Sequence, residues 1–215
     1  MDIHKKVVEW ETKIGVELFE HCNIPKNAIV IDFGCGYGHY SVAVSQYLTN
    51  GAVYSVDENK KVLAVLKKKI KDYSLQNITI IQNNGELCME FENSFADVVL
   101  LFDVIHGNDL QTKTPVRFKL FEEAYRVLKP NGILSITPFN ECNRMRDKTG
   151  KQRKYTKEQV IKEISDYGFE LSYEVDNAIH FEMYHSAYQW KKHNDDLQFE
   201  DMETGAVWNF TKCAV

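Results

Sequence analysis

Val30-Ile31-Asp32-Phe33-Gly34-Cys35-Gly36-Tyr37-Gly38 joins a short apolar run to three glycines within five residues. With Ala28 and Ile29 before it, the apolar run reads as a strand that ends at Asp32 and opens into a loop. Tyr40, Val44, Tyr47 and Leu48 then recur at helical spacing. Glycines allow positive φ and close backbone approach, so a ligand can lie against this turn. The helix behind the turn offers unpaired N–H groups. The spacing is G-x-G-x-G, whereas a dinucleotide loop needs G-x-G-x-x-G, and His39 stands where that third glycine would be. Asp32, two residues before Gly34, would repel a pyrophosphate and suits an ammonium group.

Outward from the loop, strands and helices alternate. The first helix stops at Asn50-Gly51, and Ala52-Val53-Tyr54-Ser55-Val56 predicts a second strand ending at Asp57, nineteen residues after Gly38. A carboxylate at that point can accept hydrogen bonds from both hydroxyls of a ribose, which makes an adenosine-binding arrangement at the carboxyl edge of a sheet. Val62, Leu63, Leu66, Ile70 and Tyr73 predict a second helix, Ile78–Ile81 a third strand, and Ala96–Phe102 a strand buried on both faces. Phe118, Phe121, Tyr125 and Leu128 mark a helix closed by Lys129-Pro130-Asn131-Gly132, followed by a fifth strand over Ile133–Ile136. A helix over 156–166 opened by Thr156, a strand over Phe169–Val175 and a last strand over Gly205–Phe210 complete the series. Upstream, Ile3, Val7, Trp10, Ile14 and Leu18 predict an amphipathic helix over 3–22, ended by Pro25. Alternation of this kind implies a mostly parallel α/β sheet with helices on both faces.

The chain has 215 residues, with 44% hydrophobic and 27% charged, which is ordinary for a globular domain and excludes disorder or a disulfide-stapled miniprotein. A formal charge of −5 argues against nucleic acid as the general partner. Met1–Lys6 lacks the apolar core of a signal peptide, and Val98–Phe102 is far short of the roughly 20 residues of a membrane span. Cys22, Cys35, Cys88, Cys142 and Cys213 form an odd set with no C-x-x-C pair, as expected of reduced thiols. A cytoplasmic protein without membrane attachment is the expectation.

Five segments together resemble the class I S-adenosylmethionine-dependent methyltransferases, over roughly residues 28–137. Val30–Gly38 is similar to their first motif, with Asp57 as the acid of the second. Asn77–Asn84 resembles their third strand running to the adenine-contacting position. Phe95–Val99 with Leu101–His106 resembles the fourth-strand motif, and Arg126–Leu134 the "R-x-L-K-P-G-G" turn. The resemblance implies a doubly wound, mostly parallel seven-stranded α/β sheet of Rossmann-like type, its last strand antiparallel beside the sixth. It implies S-adenosyl-L-methionine as cofactor, held by Asp32, Gly34, Cys35, Gly36, Gly38, Asp57, Glu58, Asn84, Gly85 and Asp103. One departure is Asn84, where the family usually has Asp; an amide oxygen can still accept from the adenine amine, or Glu86 supplies the acid instead.

The implied reaction is in-line displacement at a sulfonium methyl carbon, for which the enzyme mainly has to hold a nucleophile at near-attack distance. Asp103 and His106, where the fourth strand ends, are the catalytic candidates, His106 either as base or as part of the acceptor pocket. Cys35 reads as a small residue that fits the loop. His180 and His185 with Tyr184, Tyr188 and Trp190 read as an aromatic cover or core rather than a metal site. Arg144–Lys157 carries seven basic residues and one acid, a charge that would steer an anionic substrate or nucleic acid, or form a solvated lid; with no interleaving aromatic platform, the nucleic-acid alternative is the weaker. Residues 1–26 are expected to form a helical lid and 27–215 the single binding domain. With no further domain for substrate recognition, a small-molecule methyl acceptor is expected. A cofactor-binding scaffold without activity and an NAD(P) oxidoreductase are the competing readings.

Overall fold

Seven strands form one sheet in the order β3-β2-β1-β4-β5-β9-β8. The computed structural model describes residues 3–108, 114–137, 144–178, 181 and 205–213. Strands β1 (Ile29–Phe33), β2 (Ala52–Asp57), β3 (Ile78–Gln82), β4 (Ala96–Leu101) and β5 (Leu128–Ile136) are parallel to one another. Strand β8 (Phe169–Ala178) is at the edge, and β9 (Gly205–Lys212) inserts between β5 and β8, antiparallel to both. Helices α3 (His39–Tyr47), α4 (Lys60–Asp72), α5 (Arg117–Val127) and α6 (Lys157–Ser165) connect them. From β1 the chain runs outward through β2 to β3, then returns to place β4 on the other flank of β1. That reversal opens a crevice at the carboxyl ends of β1 and β4, where open α/β sheets bind ligands.

The β4 sequence explains its central position. Val98, Val99, Leu100 and Leu101 are fully buried, and alternate residues feed opposite sides of the sheet. Val99 and Leu101 join a core with Leu120, Phe121 and Ile164, while Val98 and Leu100 join one with Trp10, Phe19 and Val44. A strand of unbroken apolar residues is what burial on both faces requires.

The N-terminal helix is not uniform. Helix α1 (Ile3–Glu9) and helix α2 (Gly15–His21) are joined by a π-helical turn, Trp10–Ile14. Both Trp10 and Glu11 are fully buried. Gly15 makes this packing feasible, since a Cβ there would sit 2.7 Å from the Trp10 ring and 2.8 Å from Ala43 Cβ.

The basic stretch predicted as a lid forms a small hairpin, β6 (Arg144–Arg146) with β7 (Gln152–Lys154). Part of its charge is balanced: Arg153 pairs with Asp147 within the stretch, and Lys157 with Glu174 of β8. Helix α6 begins at a reciprocal cap. The Gln159 N–H donates to Thr156 Oγ1 (3.3 Å), and the Thr156 N–H donates to Gln159 Oε1 (2.9 Å). Thr156→Ala is expected to cost about 1 kcal/mol, measurable by urea denaturation. Among the described residues, no helix is long and apolar enough to cross a membrane. His180, His185, Tyr184, Tyr188 and Trp190 lie outside the described residues.

Candidate active site

The glycine loop turns between β1 and α3 through three left-handed positions, Gly34 (φ +77°), Gly36 (φ +51°) and Gly38 (φ +75°). Their surroundings differ. A side chain at Gly34 would press on Val104, and one at Gly38 would collide with Leu66. At Gly36 nothing lies within 4 Å of the missing Cβ, so the bare backbone faces open space. The loop is tied to the end of β2: the N–H groups of Gly34 and Cys35 both donate to the Val56 carbonyl (2.8 and 3.0 Å).

Asp57 closes this arrangement. Its Oδ2 accepts from the Gly36 N–H (2.8 Å) and its Oδ1 from the Asn59 N–H (2.8 Å). Each oxygen keeps a further lone pair, so the carboxylate is oriented while still able to accept from a ligand diol. Glu58 follows directly, and its carboxylate lies over Gly85, where a Cβ would strike it. Asn84 is exposed in the same loop after β3. The buried amide there is its neighbour Asn83. It takes the Gly85 N–H on Oδ1 (3.4 Å) and gives its Nδ2–H to the Glu86 carbonyl (3.1 Å). Asn83 thus shapes the loop that presents Glu58, Asn84 and Gly85 together.

Two more carboxylates approach from the neighbouring strands. Asp32 is buried and accepts from Ser41 Oγ (2.5 Å), which in turn accepts from Ser55 Oγ (2.8 Å). Burial, together with the charges of Asp57 and Asp103, pushes the Asp32 carboxyl up to about 6 against the opposing Ser41 hydrogen bond. Asp103 follows β4 in a left-handed conformation (φ +59°), uncommon for a residue with a side chain. Its backbone N–H donates to Thr137 Oγ1 (2.8 Å). Its carboxylate accepts from Thr137 Oγ1 (3.2 Å) and from the Tyr40 hydroxyl (3.0 Å). Backbone strain held in place by surrounding bonds is common at ligand sites.

His106 is three residues further on. Among the described residues its Nδ1 is buried without a hydrogen-bond partner, as is Asn108 Oδ1. Burial lowers the imidazole pKa, Arg117 adds to that effect, and Asp103 opposes it. The ring is therefore neutral at pH 7 and able to take a proton. The Cys35 thiol is raised far above its ordinary value by burial and by the Asp32 and Asp57 charges. It is no thiolate nucleophile at neutral pH.

The structure thus brings Asp32, Gly34, Cys35, Gly36, Gly38 and Asp57 around one loop. Glu58, Asn84 and Gly85 stand at its β2–β3 side, and Asp103 and His106 at its β4 side. Ser41, Tyr40 and Thr137, which orient the carboxylates, were not among the residues expected from sequence. Hydroxyls are too common for spacing alone to single them out. Glu11, His39 and Lys69, which meet behind the loop, were also missed. Glu11 did leave a signal, being an acid within the apolar stripe of Val7, Trp10 and Ile14.

A family model described as a methyltransferase domain matches residues 24–200. The chain is 28% identical over 117 residues to a demethylmenaquinone methyltransferase of Oceanobacillus iheyensis, a match covering 54% of this chain and 46% of that protein. The chain spans about half the length of the curated relatives it matches in this way. Among solved structures it is similar to a SAM-dependent methyltransferase from Aquifex aeolicus, with TM-score 0.61, 16% identity and 98% of both chains covered. It is similar also to a magnesium protoporphyrin IX methyltransferase from Synechocystis PCC 6803 with bound SAM, with TM-score 0.56, 16% identity, and 98% of this chain and 80% of that one covered. At such identities the solved structures speak for the fold alone. The family match, over most of the chain and across the whole glycine-loop crevice, identifies this protein as a member of the methyltransferase domain family.

Proposed function

We propose that the protein transfers a methyl group from S-adenosylmethionine to a small-molecule acceptor. The observation that carries this reading is the convergence of three carboxylates, Asp32, Asp57 and Asp103, on a glycine loop whose Gly36 backbone is open. A site that gathers negative charge repels a pyrophosphate and favours a cationic ligand. Asp57 would take the ribose hydroxyls, Asp32 and Asp103 would face the ammonium end, and Glu58, Asn84 and Gly85 would border the adenine. When bound, S-adenosylmethionine supplies an electrophilic methyl group on a sulfonium. The neutral His106 then either takes the acceptor's proton or accepts a hydrogen bond from it. The name of the curated relative, a demethylmenaquinone methyltransferase, supports a small acceptor.

Thermal denaturation with S-adenosylmethionine, S-adenosylhomocysteine and NAD tests the reading, because a ligand of the native state raises apparent stability. A shift with the first two is expected, and a shift with NAD alone overturns it. Release of S-adenosylhomocysteine in the presence of small acceptors then separates an enzyme from a binding scaffold.

Affinity should also depend on pH. Asp32, at about 6, must ionise to face an ammonium group. Affinity for S-adenosylhomocysteine is expected to rise as pH increases through 6, changing about tenfold per unit below it. For the ligand-free fold the sign is opposite. The native carboxyl is raised above its unfolded value of 3.8, so its contribution is full below pH 4 and lost as pH rises through about 6. Calorimetry between pH 5 and 7, in buffers of different ionisation enthalpy, should show proton release on binding. Affinity flat across that range would remove Asp32 from the ligand's surroundings.

A further inference from the structure

The buried acid of the N-terminal segment has no role in the site described so far. Glu11 lies in the π-helical turn, fully buried, and its carboxylate collects donors from two other elements. Oε1 is 2.6 Å from His39 Nδ1, in the first residue of α3, and 2.5 Å from Lys69 Nζ on α4. Oε2 accepts from the Tyr73 hydroxyl at the end of α4 (2.8 Å). His39 Nδ1 donates to the carboxylate in the tautomer that carries its proton there, and Lys69 Nζ lies 3.1 Å from the same nitrogen. Burial pushes the Glu11 carboxyl up, but the His39 hydrogen bond and the Lys69 charge outweigh it and leave it below its ordinary range.

Lys69 also reaches the glycine loop. Its Nζ donates to the Tyr37 carbonyl (2.9 Å), while the Gly38 N–H donates to the Cys35 carbonyl (2.8 Å). These are the two polar groups of a single peptide unit, so that unit is held at both ends. It needs holding, because Gly38 is free to adopt other φ values. A loop that must be ordered on binding loses affinity by the ordering cost.

We propose that Glu11 is a positioning residue for the cofactor loop: through Lys69 it fixes the Tyr37–Gly38 peptide in the orientation that receives the ligand. The proposal rests on the reading of this loop as the S-adenosylmethionine site. Lys69 is largely buried and depends on Glu11 for its counter-charge. Without that partner its long stem lets the ammonium move to solvent and release the Tyr37 carbonyl. The N-terminal helix thereby acts on the loop from behind, with no contact to the ligand required.

The test uses the full chain carrying Glu11→Gln, Lys69→Met, Lys69→Arg or both of the first two changes. In the ligand-free protein, hydrogen exchange at the Gly38 amide is expected to accelerate at least about tenfold in Glu11→Gln and Lys69→Met. The Kd for S-adenosylhomocysteine, by calorimetry, is expected to rise about tenfold in each. The double variant should bind no worse than Lys69→Met, since both changes cut one chain of contacts. Lys69→Arg, which keeps a cation with several donors, should restore most of the affinity, an outcome that a merely structural contribution to stability does not demand. Lys69→Met retains the apolar stem and keeps the test open if Glu11→Gln fails to fold. Unchanged Gly38 exchange in the folded variants overturns the proposal, as does an unchanged Kd. If the wild-type chain binds no S-adenosylhomocysteine, the functional reading falls instead, and the exchange comparison alone decides whether the clamp holds.

Discussion

Asp57→Ala is expected to weaken S-adenosylhomocysteine binding by about 100- to 1000-fold while leaving the chain folded. The size follows from what the carboxylate is placed to do. Two backbone N–H groups, from Gly36 and Asn59, orient its oxygens. The remaining lone pairs can each take a ribose hydroxyl in a charge-assisted hydrogen bond of about 1.5–3 kcal/mol. Losing both would remove about 3–6 kcal/mol if they added fully, and water meeting the freed hydroxyls offsets part of that, which leaves two to three decades in Kd. The substitution also frees the Gly36 N–H, so the loop loses a tether together with its ligand contact. Cost to the fold should be smaller, about 1–2 kcal/mol, because Asp57 is half-buried at the end of β2 and a freed N–H there can meet water. Calorimetry and urea denaturation on the same preparation separate the two effects. An unchanged Kd in a folded variant would remove Asp57 from the ribose site, and unfolding without ligand would make its role structural.

How much of this was legible beforehand depended on whether a residue acts through local pattern or through distant neighbours. The β4 run Val98–Leu101 announced burial on both faces, and the glycine spacing announced a turn with room for a ligand, because both are properties of contiguous backbone. Thr156 and Gln159 are another case, the box being written in four residues. The carboxyl-edge acids Asp32, Asp57 and Asp103 were legible for a similar reason, each being placed by a predicted strand end. Residues whose role arises only on folding were not. Lys69 is one of several lysines in the α4 sequence, and nothing local separates it from the rest, yet its side chain is largely buried beside Glu11. His39 was noticed only as a missing glycine, and the structure instead finds its ring stacked on Phe181, with 3.5 Å between centroids. The segment over 3–22 was expected to be one amphipathic helix. It instead carries a π-helical turn over Trp10–Ile14, in which Trp10 and Glu11 are both buried.

The same distinction applies to Arg117, an exposed-looking cation at the start of α5 that the fold buries almost completely. Its Nε and one terminal nitrogen donate to Glu163 of α6 (2.5 and 3.1 Å), and it also reaches the Tyr155 hydroxyl (3.2 Å). The pair therefore fastens α5 to α6 beneath the His106 loop. Arg117→Met is expected to destabilise the protein by about 3–5 kcal/mol, because it leaves the Glu163 carboxylate poorly solvated and without its partner. Arg117→Met/Glu163→Met should recover much of that loss, since both desolvation costs disappear and two apolar stems take their place. Urea denaturation of the two singles and the double yields the coupling directly. The charge also bears on chemistry. Burial is the larger cause of the lowered His106 pKa, but Arg117 adds to it. In the double variant, which retains the fold, the imidazole should titrate at a higher pH, and the acidic limb of the rate profile should move up with it. Should His106 be the group that accepts the acceptor's proton, that limb follows the ring's titration measured by NMR. If the ring's titration moves while the limb stays in place, His106 binds the acceptor without taking its proton.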